Sequence, residues 1–159
     1  MEATPREQFI DAYVREHGAT LRVLRSYPTD QLDLRPHSKC QTARELLWTF
    51  VVEQGLCERA LTTGFDWSSP PGVPTAPSTL AEVTAAFERG RDRLVGLVAG
   101  RDASLSGTVK VPTDSLQVAD VPLRQFLWLL LSDQILHRGQ LSIYLRLAGG
   151  GLPGALALP

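Results

Sequence analysis

Hydrophobic residues recur at three- and four-residue intervals in four stretches of the chain, which is the periodicity of amphipathic α-helices. The pattern predicts helices over residues 6–26, 42–62, 79–99 and 122–149. Thr42 and Thr79 are each followed three residues later by a glutamate, and this capping-box arrangement favours helix initiation. Pro122 suits the first turn of the last helix, and Gly149 suits the position just past its end. The chain therefore predicts an all-α protein.

The segments between these helices differ in length and composition. Residues 64–78 are rich in proline and glycine, which predicts a long crossing loop between the second and third helices. Residues 106–112 predict a short extended segment or hairpin, and the Gly/Pro-rich residues after Gly149 are expected to lie on the surface or fray. Four amphipathic helices with one long connection predict a single-domain four-helix bundle over residues 1–159, whose sites would face the bundle core.

Two of the predicted inner faces carry ionisable side chains. At about 100° per residue, the inner stripe of the last helix contains Phe126, Leu130, Asp133, His137, Leu141, Tyr144 and Ala148. The inner stripe of the second helix contains Leu46, Thr49, Glu53, Leu56 and Ala60. A buried, unpaired carboxylate costs several kcal/mol, so Asp133 and Glu53 need partners. His17 faces inward on the first helix, and we expect it to bond to Glu53 or Asp133.

Two interpretations of Asp133 and His137 remain open at this point. The two residues lie one helical turn apart and can pair with each other as a structural ion pair, which is a frequent role of buried charges. Alternatively, the i, i+4 spacing places a carboxylate and an imidazole on the same side of a divalent ion. Trp48 and Trp128 lie opposite their own inner stripes, where each would form part of a partner surface or cover a loop.

Composition excludes several classes of protein. The 159 residues, 43% hydrophobic and 21% charged, are typical of one globular domain. A net charge of −1 argues against a nucleic-acid-binding surface. Cys40 and Cys57 are too few and too far apart for a zinc site or a disulfide framework, so a reduced, cytoplasmic protein is expected. The first residues do not resemble a secretion signal, and the longest apolar run, 126–131, is too short to span a membrane.

The segment HRGQLSIYLRLAG, which begins at His137, resembles the end of the last helix in the DinB-like superfamily, which includes the YfiT-like metal-dependent hydrolases. ARELLW, directly before Thr49, extends the resemblance to the second helix. The resemblance implies a four-helix bundle that is commonly dimeric and holds a divalent ion with three histidines. Several members of this superfamily are transferases or isomerases that use the low-molecular-weight thiols bacillithiol, mycothiol or glutathione.

The resemblance also implies that the usual metal site is altered in this chain. Thr49 and Asp133 occupy two of the three family histidine positions, and only His137 is retained. A threonine hydroxyl is a poor ligand for zinc or nickel beside imidazole. Glu53, one turn after Thr49, can restore a carboxylate-rich site with Asp133 and His137, which would favour harder ions such as manganese, magnesium or calcium. Alternatively, the site binds no metal.

The resemblance leads to two functional hypotheses from different classes. The first is a divalent-metal-dependent thiol transferase or hydrolase that acts on a small molecule through a degenerate site at Thr49, Glu53, Asp133 and His137, with manganese, zinc or nickel as the candidate ion. The second is a non-catalytic, stress-linked dimeric bundle in which Asp133 and His137 form a buried pair without metal. Both hypotheses predict a homodimer, no nucleic-acid partner and no membrane association, and both leave the catalytic residues unassigned.

Overall fold

Four long helices account for most of the chain in a computed structural model, which describes residues 2–64, 74–112 and 118–154. The helices are α1 (Pro5–Arg25), α2 (Ala43–Leu61), α3 (Leu80–Ala99) and α4 (Leu123–Leu147). Two short strands, β1 (Thr108–Pro112) and β2 (Val118–Pro122), lie between α3 and α4. The all-α fold class and all four predicted helices are confirmed, with ends that differ by at most two residues. None of the described helices combines the length and apolarity needed to cross a bilayer.

Reciprocal capping boxes begin three of the helices. Thr42 and Thr79 accept a hydrogen bond from the backbone N–H three residues on, and the glutamate at that position accepts one in return. Thr4 forms the same box with Glu7 at the start of α1. The helix therefore begins at Pro5, one residue before the start that the hydrophobic pattern predicts. Each box satisfies backbone donors that a helix N-terminus would otherwise leave unpaired. α4 has no side-chain cap and continues directly from β2 through Pro122.

Contacts between the helices show how they are ordered in the bundle. Arg44 near the start of α2 donates to the Pro77 carbonyl beside the start of α3, and Glu58 near the end of α2 pairs with Arg93 near the end of α3. α2 and α3 are therefore parallel neighbours, so the connection between them must return along the length of the bundle. This arrangement confirms the predicted crossing loop, although residues 65–73 of it lie outside the described part of the chain.

α1 and α4 form the second parallel pair. Phe9 packs edge-on against Trp128, and two turns later Glu16 pairs with Arg138 at 2.8 Å. α4 runs antiparallel to α2, because Glu53 of α2 meets His137 of α4 while Gln41, just before α2, accepts a hydrogen bond from Tyr144.

An antiparallel hairpin connects α3 to α4. β1 and β2 pair in a register that places Val109 opposite Val121 and Lys110 opposite Asp120. Val109 is buried at one end of the bundle in a cluster that includes Leu105 and Leu123. The extended segment predicted at residues 106–112 is therefore one strand of a hairpin, and the second strand occupies residues that had no predicted structure.

The apolar core consists of two clusters separated by a polar layer. One cluster includes Leu24, Leu46, Phe50, Phe87, Leu141 and Leu145, and the other includes Phe9, Tyr13, Cys57, Leu94, Leu127 and Leu131. Along every helix the chain passes from one cluster to the other through a buried polar residue or a glycine. The residues at these positions are His17, Thr20, Glu53, Gln54, Gly90 and Gln134. The candidate site lies at one edge of this layer.

The inner faces of α2 and α4 differ from the predicted ones. Asp133 is exposed, whereas Gln134, the next residue, is buried. Leu56 of α2, which was predicted to face the bundle core, is 37% exposed. Arg138, which is not part of the predicted inner stripe of α4, has a largely buried side chain that pairs with Glu16. The buried face of α4 is therefore rotated from the predicted stripe by about 60°, at ~100° per residue.

Candidate functional site

Glu53 and His137 meet in the groove between α2 and α4. Glu53 Oε1 lies 2.6 Å from His137 Nδ1, and their side chains are 12% and 25% exposed. The ring of Phe50, one turn before Glu53, packs edge-on against the imidazole at 6.3 Å between centroids. Helical periodicity places Phe50 and Glu53 on the same side of α2, so the apolar ring and the carboxylate both contact the histidine.

The polar atoms of this pair are not satisfied by hydrogen bonds. The 2.6 Å approach is short, but the two groups are not aligned as a hydrogen bond requires. Glu53 Oε2 and His137 Nδ1 are both buried and have no hydrogen-bond partner within the described residues. Buried polar atoms in native proteins are nearly always paired with protein groups, water or an ion. These two neighbouring atoms are therefore suited to a further polar ligand.

The environment of Glu53 disfavours its charged form. Burial raises the pKa of the Glu53 carboxyl to about 8, and the negative charge of Asp133 adds to the shift. At neutral pH the Glu53 carboxyl of the metal-free protein is therefore chiefly protonated.

The other two predicted ligands are less favourably placed. Asp133 is exposed on α4 and influences Glu53 through its charge. Thr49 is half-buried, and its hydroxyl donates to the Glu45 carbonyl at 3.0 Å within its own helix. Across the described parts of the chain, no group of three or more His, Cys, Asp or Glu side chains is close enough to hold a metal ion.

Two predicted partnerships are wrong. His137 pairs with Glu53 rather than with Asp133, because the rotation of α4 turns Asp133 outward. His17 contacts neither carboxylate: its Nε2 lies 3.2 Å from the Phe87 carbonyl, and its ring stacks on the Phe87 ring at 4.0 Å. His17 is buried as predicted, and burial lowers its pKa, only partly offset by the carbonyl contact.

Three buried polar residues near the site were not predicted. Gln54 donates to the Tyr13 hydroxyl at 2.9 Å and to the Phe87 carbonyl at 3.1 Å, which joins it to His17. Gln134 is buried on α4, and Arg138 reaches back to Glu16. Burial raises the pKa of Glu16, but the hydrogen bond and charge of Arg138 outweigh it, so the net shift is downward. Glutamine and arginine are common on solvent-facing helix surfaces, so the sequence carries little signal for these roles.

A cleft of about 840 Å³ reaches Thr49, although neither Glu53 nor His137 lines it. Thr49 and Cys40 line it together with three cationic side chains, Arg35, Lys39 and Arg44. Arg44 pairs with Asp33 at 3.0 Å, and Arg35 lies 3.7 Å from Glu45. The cleft is large enough for a small organic molecule and presents positive charge to it.

The donor atoms decide which metal site is chemically reasonable. A three-imidazole site does not fit, because His137 is the only imidazole among the four candidate ligands and the Thr49 hydroxyl is already bonded. The unpaired atoms of Glu53 and His137 fit a cation that accepts mixed oxygen and nitrogen ligands, with Asp133 one turn away on α4.

Comparison with known proteins identifies the family. The model of the DinB family matches residues 1–156 of the chain. The chain belongs to the DinB family. A DinB-like protein from Bacillus cereus ATCC 10987 has a similar structure, with a TM-score of 0.75 and 17% identity over 92% of this chain and 94% of that chain. A DinB-like protein from Bacillus subtilis gives a TM-score of 0.67 and 16% identity over 89% and 92%.

At these identities the two structures establish the DinB-like fold alone. A search of curated proteins found no significant match. The resemblance seen in HRGQLSIYLRLAG is thus confirmed at the level of the family, and the chemistry of this DinB-family protein has to be argued from its own residues.

Proposed function

We propose that this DinB-family protein binds a divalent cation through Glu53 and His137 and catalyses thiol transfer or hydrolysis on a small electrophilic molecule. The observation that carries the proposal is the presence of two adjacent buried atoms, Glu53 Oε2 and His137 Nδ1, without hydrogen-bond partners in the described residues. Asp133, one turn before His137, is the candidate third ligand. A carboxylate-rich set favours manganese over nickel, with zinc as the intermediate case.

The electrostatics of Glu53 support a cation at this position. Burial and the charge of Asp133 both oppose ionisation of Glu53. A divalent cation would offset both effects, because it attracts the Glu53 and Asp133 carboxylates together. Binding should therefore release a proton near neutral pH, and affinity should increase as the pH rises.

Each residue has a distinct role in the proposed reaction. The bound cation would supply Lewis-acid chemistry that lowers the pKa of a water or thiol. With Glu53 Oε2 and His137 Nδ1 bound to the cation, the other carboxylate oxygen of Glu53, Oε1, would accept and return the proton that this water or thiol loses. Arg35 and Lys39 in the neighbouring cleft would attract a carboxylate of the substrate or of a low-molecular-weight thiol. Free Cys40 and Cys57 are consistent with a reducing, cytoplasmic location for such thiol chemistry.

A second candidate function is a non-catalytic bundle without metal. It is favoured by the lack of a three-ligand group within the described residues and by the replacement of the family histidine at Thr49. In this case Glu53 and His137 form a structural pair at the edge of the polar layer, and the family fold has retained a role in assembly alone.

Metal titration of the purified protein separates the two functions. After chelator treatment, calorimetry with Mn²⁺, Zn²⁺ and Ni²⁺ should show one site per chain in the wild type. Glu53→Gln and His137→Gln should each weaken binding at least tenfold, since each removes one donor. Glu58→Gln is the matched control, because Glu58 lies on the same helix and pairs with Arg93 instead. If the wild type binds none of these ions, the metal-dependent function is excluded and the non-catalytic bundle remains.

Activity is tested separately from binding. The metal-loaded wild type should accelerate the reaction of glutathione, bacillithiol or mycothiol with an aryl halide, or the hydrolysis of an activated ester. His137→Gln should lose this activity, whereas Glu58→Gln should retain it. Tight binding without activity towards any of these substrates would limit the function to metal binding.

We also propose that the protein is a homodimer that associates through α4. All but two of the large apolar side chains exposed in the described residues lie on this helix. Leu129, Leu136 and Ile143 recur every seven residues and are followed by Leu147, and each is more than half exposed. A seven-residue apolar repeat is the spacing at which two helices pack along their length. Trp48 does not contribute to this surface, because its indole donates to the Pro74 carbonyl and covers that loop.

A further inference from the structure

A second cleft opens between the outer faces of α2 and α3, away from Glu53 and His137. Its volume is about 500 Å³, within the range of small-molecule sites. Trp48, Leu56 and other apolar side chains form much of its lining, and Gly55 leaves a gap in the surface of α2. No atom lies within 4 Å of the position that a Gly55 Cβ would occupy, so the space in front of this glycine is open.

The charged side chains around this cleft are all cationic. Arg59, Arg89 and Arg93 line it, and no acidic residue of the described chain does. Arg93 is held by Glu58, with its Nε 2.9 and 3.0 Å from the two carboxylate oxygens. Arg59 and Arg89 form no ion pair within the described residues. The cleft is therefore positively charged in a protein whose net charge is −1.

Arg59 supplies a second sign of an unfilled site. Its Nε is buried and has no hydrogen-bond acceptor within the described residues. A buried guanidinium donor without an acceptor is unfavourable, and a carboxylate is the group that best satisfies it. The apolar lining would contact the rest of such a ligand.

We infer that the α2–α3 cleft binds an amphipathic organic anion, in which a carboxylate pairs with Arg59 and Arg89 and an aryl or alkyl body contacts Trp48 and Leu56. This cleft shares Trp48, Val52 and Pro74 with the cleft beside Thr49, but none of the proposed metal ligands lines it. Gly55 lines this cleft but not the one beside Thr49, so a substitution at Gly55 distinguishes the two.

The ligand class is tested with three related probes. Calorimetry and the indole N–H signal of Trp48 should report binding of 4-phenylbutyrate in the millimolar range or tighter. The neutral 4-phenylbutyramide should bind at least roughly tenfold more weakly, because it lacks the charge that pairs with arginine. Butyrate, which lacks the ring, should be weaker by a similar factor. Equal binding of the amide, or no response of Trp48 to 4-phenylbutyrate, would overturn the inference.

Variants locate the binding in this cleft. Gly55→Phe should fill the open space and abolish binding, whereas Gly55→Ala, which also removes the helix glycine but adds only a methyl group, should bind like the wild type. Arg59→Gln with Arg89→Gln should reduce the preference for the acid over the amide to near one. Unchanged binding by folded Gly55→Phe places the anion elsewhere, and an unchanged preference in the arginine variant excludes the proposed charge pairing.

Discussion

Gly90 of α3 lies directly against Gln54 of α2. A Cβ added at Gly90 would lie well inside the van der Waals contact distance of Gln54 Oε1 and only 2.7 Å from its Cδ. The Gln54 amide cannot move away cheaply, because it donates to both Tyr13 and Phe87. Glycine destabilises an isolated helix. At position 90 it is nevertheless required, because Gln54 of the polar layer occupies the space that a side chain would need.

Gly90→Ala should destabilise the protein despite the higher helix propensity of alanine. Overpacking a core typically costs 1–3 kcal/mol, and the propensity gain offsets up to about 1 kcal/mol of it. We expect a net loss of about 1–2 kcal/mol in the free energy of unfolding, measured by urea denaturation. Gly96→Ala is the control, since this α3 glycine has no neighbour within 4 Å of its Cβ position and should gain stability.

A double-mutant cycle checks the cause of this loss. Gln54→Ala creates space in front of residue 90, so the added methyl group should no longer be unfavourable in that background. The two substitutions should be coupled by roughly 0.5–3 kcal/mol, as neighbouring buried groups usually are. Additive effects would mean that the penalty at Gly90 does not come from Gln54.

The sequence predicted the helices well, because their caps and apolar periodicity are local signals. It predicted the rotation of α4 poorly, because Leu129, Leu136 and Ile143 form an exposed apolar stripe. Periodicity cannot separate a stripe that faces a partner from one that faces the core, so the predicted inner face shifted toward Asp133. The partner of His137 and the polar contacts of Gln54 depend on the packing of separate helices, which single-helix patterns do not contain.

The raised pKa of Glu53 predicts how the stability of the metal-free protein depends on pH. The native carboxyl, with a pKa of about 8, stays protonated at pH values where the unfolded one has ionised. The native state thus binds more protons between about pH 4.5 and 8, and the free energy of unfolding should fall as the pH rises through this window, by up to about 1.4 kcal/mol per unit.

Glu53→Gln tests this dependence because glutamine keeps the shape and cannot ionise. Urea denaturation in the presence of chelator should show a flatter profile between pH 5 and 8 in this variant than in the wild type. Below about pH 4.5 the two profiles should run parallel, since Glu53 is protonated in both states. If Glu53 instead formed an ion pair with protonated His137, the substitution would flatten the profile below pH 4.5.

Charges placed in the apolar stripe of α4 should dissociate the proposed homodimer. Light scattering of the wild type should give about twice the monomer mass of 17.4 kDa. Leu136→Lys with Ile143→Lys should give a folded monomer, because two ammonium groups would be buried unpaired in the interface. Leu56→Lys is the control, since this exposed leucine lies on α2. A monomeric wild type at micromolar concentration, or dimeric stripe variants, would contradict assembly through α4.

The family alignment itself can be tested by restoring the missing imidazoles. The resemblance aligns Thr49 and Asp133 with two family histidines, so Thr49→His with Asp133→His should place two more imidazoles near His137 if this alignment holds. Nickel and zinc affinity should increase at least a hundredfold over the wild type, since each imidazole adds a ligand bond that threonine cannot make. Because the ion binds the folded state, the melting temperature should also rise with metal concentration.

Adding His137→Gln to the Thr49→His and Asp133→His pair is the matched control for this gain. The third substitution should remove most of the gained affinity, because the site would again lack one imidazole. It should also reduce the rise of the melting temperature with metal concentration. If the double variant folds but binds nickel and zinc no better than the wild type, Thr49 and Asp133 do not converge on His137. Glu53 would then be the sole partner of His137, and any metal site would consist of these two donors alone.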